Sequence, residues 1–313
     1  MKLWSAFLSL FLLFPSMALS QDRLSLMLDW FVNPDHGPII LARELGYFEA
    51  EGLVIDLITP SDPNDPPRMV AAGRIDLAVT YQPQLHLSRH QDLPLLRVGT
   101  LISTPLTCLV VLADGPVKSL GDLRGRKVGY AVAGVQEALL GGMLASHGLR
   151  MEDVEAINIG WSISPALMSG QVDAVIGAYR NFELNQLALE GVEGRCFYPE
   201  EEGVPAYDEL IYVAHSERLD HERIARFLAA TERATHYIVN HPQAAWEIFA
   251  ATAPELRTEL NARAWVDTWP RFDTRPAAMD PGRYQRFEGF LQGQGLVTDL
   301  LSVAELAVDV NAP

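Results

Sequence analysis

The side chains with chemistry to offer fall in short stretches that follow apolar runs. The most telling is Leu26 to Ile40, LMLDWFVNPDHGPII, where a run suited to a buried strand breaks into a polar, aromatic and proline-bearing turn before a helix. Asp29, Trp30, Asn33 and His36 supply an acceptor, a stacking surface, an amide and a titratable ring within that turn. Tyr81 and Gln82 follow a second apolar run, Gly134 and Gln136 open a later helix, and Tyr179, Asn181 and Glu183 follow a third run. Trp30, Tyr81 and Tyr179 offer flat faces; Asn33, Gln82, Asn181 and Glu183 offer hydrogen bonds. Such a set suits a planar heterocycle with amide-like edges. Stacking a base on an aromatic ring contributes roughly 1–3 kcal/mol, and a hydrogen bond to a charged group roughly 1.5–3 kcal/mol. Two of each reach the roughly −8 kcal/mol of a micromolar ligand. A carboxylate such as Glu183 can accept from an amino group and from a protonated ring nitrogen beside it. Plainer roles exist for each residue. Asp29 or Asn33 can cap the helix, Trp30 and the tyrosines can pack the strand ends, His36 can bond within its own turn, and Glu183 can complement a helix dipole.

The elements that must position these groups follow from apolar periodicity and turn residues. Strands are expected at Leu24 to Leu28, Leu53 to Ile58 and Ile75 to Val79, with helices at Pro38 to Leu45 and Arg68 to Ala72. The same grammar recurs: strands at Lys127 to Tyr130, Val154 to Ile159 and Val172 to Ile176, with helices at Val135 to Ser146 and Ser164 to Ser169. Gly-Arg-Ile-Asp (73 to 76) and Gly-Gln-Val-Asp (170 to 173) sit at the same point of each unit. Two copies of one unit predict two similar α/β lobes. Lobe 1 is expected over residues 21–104 and 206–313, and lobe 2 over 105–205. Thr100 to Leu112 and the stretch from Glu200 to Ala214 would cross between them, and the helical C-terminal region, Arg223 to Asn240, Pro242 to Ala251, Glu255 to Ala264 and Gly282 to Gln292, would pack on lobe 1. Strand ends aim at the cleft, so the loops 29–36, 80–82, 131–136 and 177–183 should line it.

Residues 1–20 read as an export signal. Lys2 is its charge, Leu3 to Leu13 its apolar core, and Ala18-Leu19-Ser20 a cleavage site before Gln21. That core is too short for a stable membrane span, and a periplasmic product is expected. The net charge of −16 opposes binding to nucleic acids or anionic membranes. Cys108 and Cys196 are the two cysteines, and an exported chain permits either one disulfide or two buried thiols.

Catalytic signatures are missing. There is no Gly-x-Ser-x-Gly elbow, no phosphate loop with a following lysine and no His-Glu-x-x-His pair. His86 and His90 can share a helix face, but the nearby sequence offers no acidic partner, so they read as surface residues rather than metal ligands. The turn at Gly134 has no Lys, Arg or Ser to hold an anion. Neither a metal nor a cofactor is expected, and the chain should act as a monomer.

Several stretches resemble the periplasmic substrate-binding proteins of ABC importers related to thiamine-pyrimidine synthases. These are LDWFVNPDHGPI (28 to 39), Gly-Tyr-Phe-x-x-Glu-Gly-Leu (46 to 53), Gly-Arg-Ile-Asp, Leu-Arg-Gly-Arg-Lys-Val-Gly-Tyr (123 to 130) and Glu-Glu-Gly-Val-Pro-Ala-Tyr-Asp-Glu-Leu (201 to 210). The first resembles members that take up formylaminopyrimidine. The resemblance implies a type II periplasmic binding protein fold, with two α/β lobes joined by a two-strand hinge around a ligand cleft. It also implies delivery of a small heterocycle to a membrane permease with its ATPase. Relatives that bind riboflavin or a sulfonate such as taurine share the other motifs, and Arg180 is the basic residue in the cleft loops that would suit a sulfonate. The yeast pyrimidine synthase is similar around Ile75 to Gln84. Its cofactor-bearing lysine falls on Thr80 here and its catalytic histidine on Gln84, which implies binding without catalysis.

Overall fold

The computed structural model describes residues 21–310. The signal expected at 1–20 lies outside the described residues. Ten strands form two five-stranded sheets: β1 Asp22–Met27, β2 Leu53–Ile58, β3 Leu77–Thr80, β4 Leu95–Ile102, β5 Thr107–Leu112, β6 Lys127–Tyr130, β7 Glu155–Asn158, β8 Ala174–Tyr179, β9 Gly194–Phe197 and β10 Leu210–His215. Their orders are β2-β1-β3-β10-β4 and β7-β6-β8-β5-β9. In each, the repeated unit supplies the parallel strands, and one strand that has crossed from the other sheet runs antiparallel among them. Two mixed sheets with helices make two lobes, as the repeat predicts.

The repeat motif fixes register in both lobes by the same bond. The Asp76 carboxylate accepts from Ser25 N at 2.8 Å, and Asp173 accepts from Lys127 N at 3.0 Å. Each aspartate turns aside to reach the neighbouring first strand, so the third strand of each unit begins later than hydropathy suggests, at Leu77 and Ala174. Gly73 and Gly170, at φ of 65° and 71°, end the preceding helices in the left-handed region, where an added Cβ is strained.

Other boundaries move for local reasons. The helix expected from Arg68 begins at Asp65, because Pro66 and Pro67 fit a first turn that needs no N–H donors. Thr258 caps a helix over Glu259–Thr268, which starts later than expected. The helix expected at Val135 to Ser146 divides into a π turn, Gln136–Leu140, and an α segment, Gly141–Ser146. The edge strand β9 was not foreseen. It lies beside β5 and carries Cys196, which is disulfide-bonded to Cys108 across 88 residues of chain.

His86 and His90 are not a surface pair. The Glu288 carboxylate, from the helix Pro281–Gly293, bonds both rings, and His86 is fully buried. Burial depresses the His86 pKa and outweighs the contact with Glu288. The acidic partner was invisible locally because it stands 202 residues from His86.

The crossings between lobes are held by one carboxylate. Buried Glu209 accepts from Leu106 N at 2.6 Å, Thr107 N at 2.8 Å and Thr107 Oγ1 at 2.8 Å, so it clamps one crossing strand to the other. Arg180 donates to the carbonyls of Leu106 and Thr107 and pairs with Glu200. Replacing Glu209 by Ala strands two buried N–H groups, each costing roughly 1–3 kcal/mol. Urea unfolding should show a loss on the order of 3 kcal/mol for Glu209→Ala and a smaller one for Glu209→Gln, which keeps an acceptor; equal losses would count against the clamp.

Candidate functional site

A cavity of about 630 Å³, its open mouth included, lies between the sheets. All the loops expected at the cleft contribute to it. Asp29, Trp30, Asn33, Tyr81, Gln136, Tyr179 and Glu183 line it. His36, Gln82, Gly134 and Asn181 do not, and each has another duty.

His36 is fully buried behind Asp29. Its Nδ1 accepts from Asn33 N at 3.3 Å, which leaves Nε2–H to donate to Asp29 Oδ1 at 2.9 Å. Tyr81 donates to Asp29 Oδ2 at 2.8 Å, so both carboxylate oxygens are fixed by neighbours. Asn33 also caps its short helical turn, its Oδ1 accepting from Asp35 N at 2.8 Å. Capping and lining the cavity are thus combined in one residue. Gln82 accepts from Asp208 N at 2.8 Å and contacts His86. Gly134 gives its N–H to the Glu137 carboxylate, so the helix opening, which has no cation to hold an outside anion, is already occupied by a carboxylate of the chain.

Asn181 joins the lobes. Its Nδ2 donates to Asp35 Oδ1 at 2.7 Å and to Thr268 Oγ1 at 2.6 Å, and Asn185 reaches Asp267 beside it. Trp161, which follows β7, meets Trp30 with ring centroids 4.2 Å apart and also contacts Phe31, which is 46% exposed at the rim. These contacts hold the two lobes closed over the cavity.

Residues that were not singled out also line it, among them Asp35, Thr107, Tyr130, Val132 and Phe182. Asp35 and Phe182 lie inside loops the sequence indicated; Thr107 opens β5 on the crossing, where pairing with Tyr179 of β8 and the clamp by Glu209 hold it. Arg180 does not line the cavity, and no Lys, Arg or His does among the described residues.

With no cationic side chain in the lining, carboxyls dominate its electrostatics. Burial raises the Glu183 pKa to about 8, against the Tyr179 N–H that its Oε2 accepts at 2.6 Å. Burial likewise raises Asp35 to about 6, with His36 and Asn181 opposing the rise. At neutral pH Glu183 is mostly a protonated acid, able to donate as well as accept. The tyrosine hydroxyls of Tyr81 and Tyr179 are pushed up by the same burial and stay neutral.

With that geometry in hand, kinship is plain. Residues 33–245 match the NMT1/THI5-like family model, and the chain belongs to that family. It is 50% identical over 311 residues to a Haemophilus influenzae protein named for thiamine biosynthesis, covering 99% of this chain and 98% of that one. It is 34% identical to the formylaminopyrimidine-binding protein of Halalkalibacterium halodurans, covering 76% and 73%. It is 27% identical to the 4-amino-5-hydroxymethyl-2-methylpyrimidine phosphate synthase of Aspergillus parasiticus, covering 81% and 78%. Among solved structures, the alkanesulfonate-binding protein of Xanthomonas axonopodis pv. citri superposes with a TM-score of 0.72 at 16% identity, covering 91% of this chain and 98% of that one. The fold is that of the type II periplasmic binding proteins.

The carboxyl pKa values set a stability profile. Both Glu183 and Asp35 titrate higher in the folded chain than in the unfolded one, so their contribution is complete below the unfolded values and is lost as pH rises through about 6 and then about 8. For Glu183 the loss is roughly 1.4 kcal/mol per pH unit across its window. Unfolding midpoints at pH 5 and pH 9 should show Glu183→Gln matching the parent at the lower pH and exceeding it at the higher; an unchanged difference would remove Glu183 as the buried titrating group.

Proposed function

We propose that this chain is the exported substrate-binding protein of an ABC importer and that its ligand is a thiamine-related aminopyrimidine such as N-formyl-4-amino-5-aminomethyl-2-methylpyrimidine. The observation that carries this reading is the cavity itself, lined by aromatic faces and the carboxyls of Asp29, Asp35 and Glu183, with no cationic side chain among the described lining residues. A sulfonate or phosphate buried there would meet negative charge without compensation, at a cost of several kcal/mol. A flat neutral ring with exocyclic amino hydrogens meets acceptors instead. Arg180, the cation that would suit a sulfonate, is committed to Glu200 and to the carbonyls of the crossing strand.

Glu183 reads the ring edge in this proposal. In its protonated form it donates to the ring nitrogen; in its ionised form it accepts from the amino group or from a protonated ring nitrogen. Trp30 and Tyr179 supply stacking surface, and Asn33 a further edge contact. Lobe 1, residues 21–104 and 206–313, closes on lobe 2, residues 105–205, around the bound ring. Cleavage after Ser20 would release the chain into the periplasm, where it passes the ligand to a permease and its ATPase. Kinship with a formylaminopyrimidine-binding protein supports the ligand class. The synthase alternative is opposed by the two positions the resemblance singled out. Thr80 and Gln84 are buried and bond one another at 2.6 Å, and neither supplies a lysine amine or an imidazole.

Titration calorimetry with the formylaminopyrimidine, the hydroxymethylpyrimidine, riboflavin and taurine tests this. Both pyrimidines should bind at neutral pH, Trp30→Ala should weaken them by about tenfold or more, and taurine should give no heat. Affinity should also fall as pH rises past about 8, where Glu183 ionises. Taurine or riboflavin binding in place of the pyrimidines would keep the fold and overturn the ligand.

A further inference from the structure

Among the buried side-chain atoms without a hydrogen-bond partner, Gln136 Oε1 and Tyr179 Oη belong to residues that line the cavity. A buried acceptor left unpaired is destabilising, which singles out Gln136 Oε1; Tyr179 Oη has the Tyr81 hydroxyl beside it. They differ in what they ask for. A phenol hydroxyl can donate or accept, whereas a carboxamide oxygen can only accept.

Which end of the Gln136 amide is free is fixed by its neighbour. Gln136 Nε2 donates to Glu137 Oε1 at 3.0 Å, and Glu137 Oε2 in turn accepts from Gly134 N at 2.7 Å. A carboxylate cannot donate, so the amide nitrogen must face Glu137 and the carbonyl oxygen must face away. Gly134, at a φ of 89°, presents its N–H to Glu137 from a backbone conformation that side chains rarely adopt. The π turn from Gln136 to Leu140 begins at the same point, and such turns often mark functional sites.

We propose that Gln136 is a specificity-determining residue which accepts a hydrogen bond from a secondary amide N–H on the ligand's side chain, and that Glu137, touching no ligand, is the positioning residue that sets its polarity. The proposal rests on the aminopyrimidine reading and adds the substituent to it. An acylamino group carries the N–H that Gln136 needs and a carbonyl that Tyr179 Oη can meet. A phosphate dianion has no hydrogen to give, so a phosphorylated pyrimidine leaves Gln136 unpaired.

The test compares the formylaminopyrimidine with its formate ester isostere, in which oxygen replaces the amide N–H, by calorimetry on the mature chain and on Gln136→Leu and Glu137→Gln. The parent should prefer the amide by about tenfold. Gln136→Leu should reduce that preference to near unity. Glu137→Gln can still accept from Gly134 N but can now donate to Gln136 Oε1, which lets the amide reverse; it too should lose the preference while keeping the parent melting temperature and affinity for the ester. A preference retained in both variants overturns the role of Gln136, and one lost only in Gln136→Leu overturns that of Glu137. Failure of the parent to bind either pyrimidine overturns the ligand assignment itself.

Discussion

The structure turns on carboxyl groups buried where two lobes meet, with few cations to neutralise them. A carboxylate taken out of water is costly unless donors surround it or a proton neutralises it. Glu209 takes the first course in part: two backbone N–H groups and a threonine hydroxyl bond it, although burial still outweighs them and raises its pKa. Asp29 is bonded by His36 and Tyr81. Glu183, which accepts from the Tyr179 N–H, takes the second course, and its pKa climbs to about 8. Asp35 lies between these cases. One group thus builds the hinge, another shapes the wall, and those least satisfied by the protein line the cavity.

The same arrangement links closure to the cavity. Glu209 holds Thr107, which begins β5 and lines the cavity. Asp35 lines the cavity and receives Asn181 from the opposite lobe. Asn181 follows Tyr179 and precedes Glu183, so the residues that join the lobes and those that line the cavity share one short loop. Movement of one lobe relative to the other therefore moves Tyr179 and Glu183 together with the Asn181 contact.

Much of this was legible in the sequence, and the reasons are specific. The recurrence of Gly-Arg-Ile-Asp and Gly-Gln-Val-Asp announced two similar lobes because the motif performs a local task, ending a helix and returning an aspartate to the adjacent strand. Strand ends pointing at a common cleft drew attention to loops that do line the cavity. The division of duties within those loops was not legible. His36 and Gln82 looked as available as Asn33, and only their partners, Asp29 on one side and Asp208 on the other, reveal that they support rather than line the site.

By itself, the sequence determined the two-lobed α/β plan, the crossings, the absence of a signature for covalent chemistry and the loops that gather aromatic and amide groups. Those properties depend on periodicity, turn residues and short motifs, all of which act over a few residues. Only the tertiary structure decided that Arg180 is spent on Glu200 and the hinge, that Asn181 bridges the lobes, that Cys108 is joined to Cys196, and that Glu288 lies between His86 and His90. Each of these rests on a partner distant in the chain. Whether a polar side chain is spent or available is a question of which other polar group folding brings within about 3 Å of it, and no local pattern carries that information.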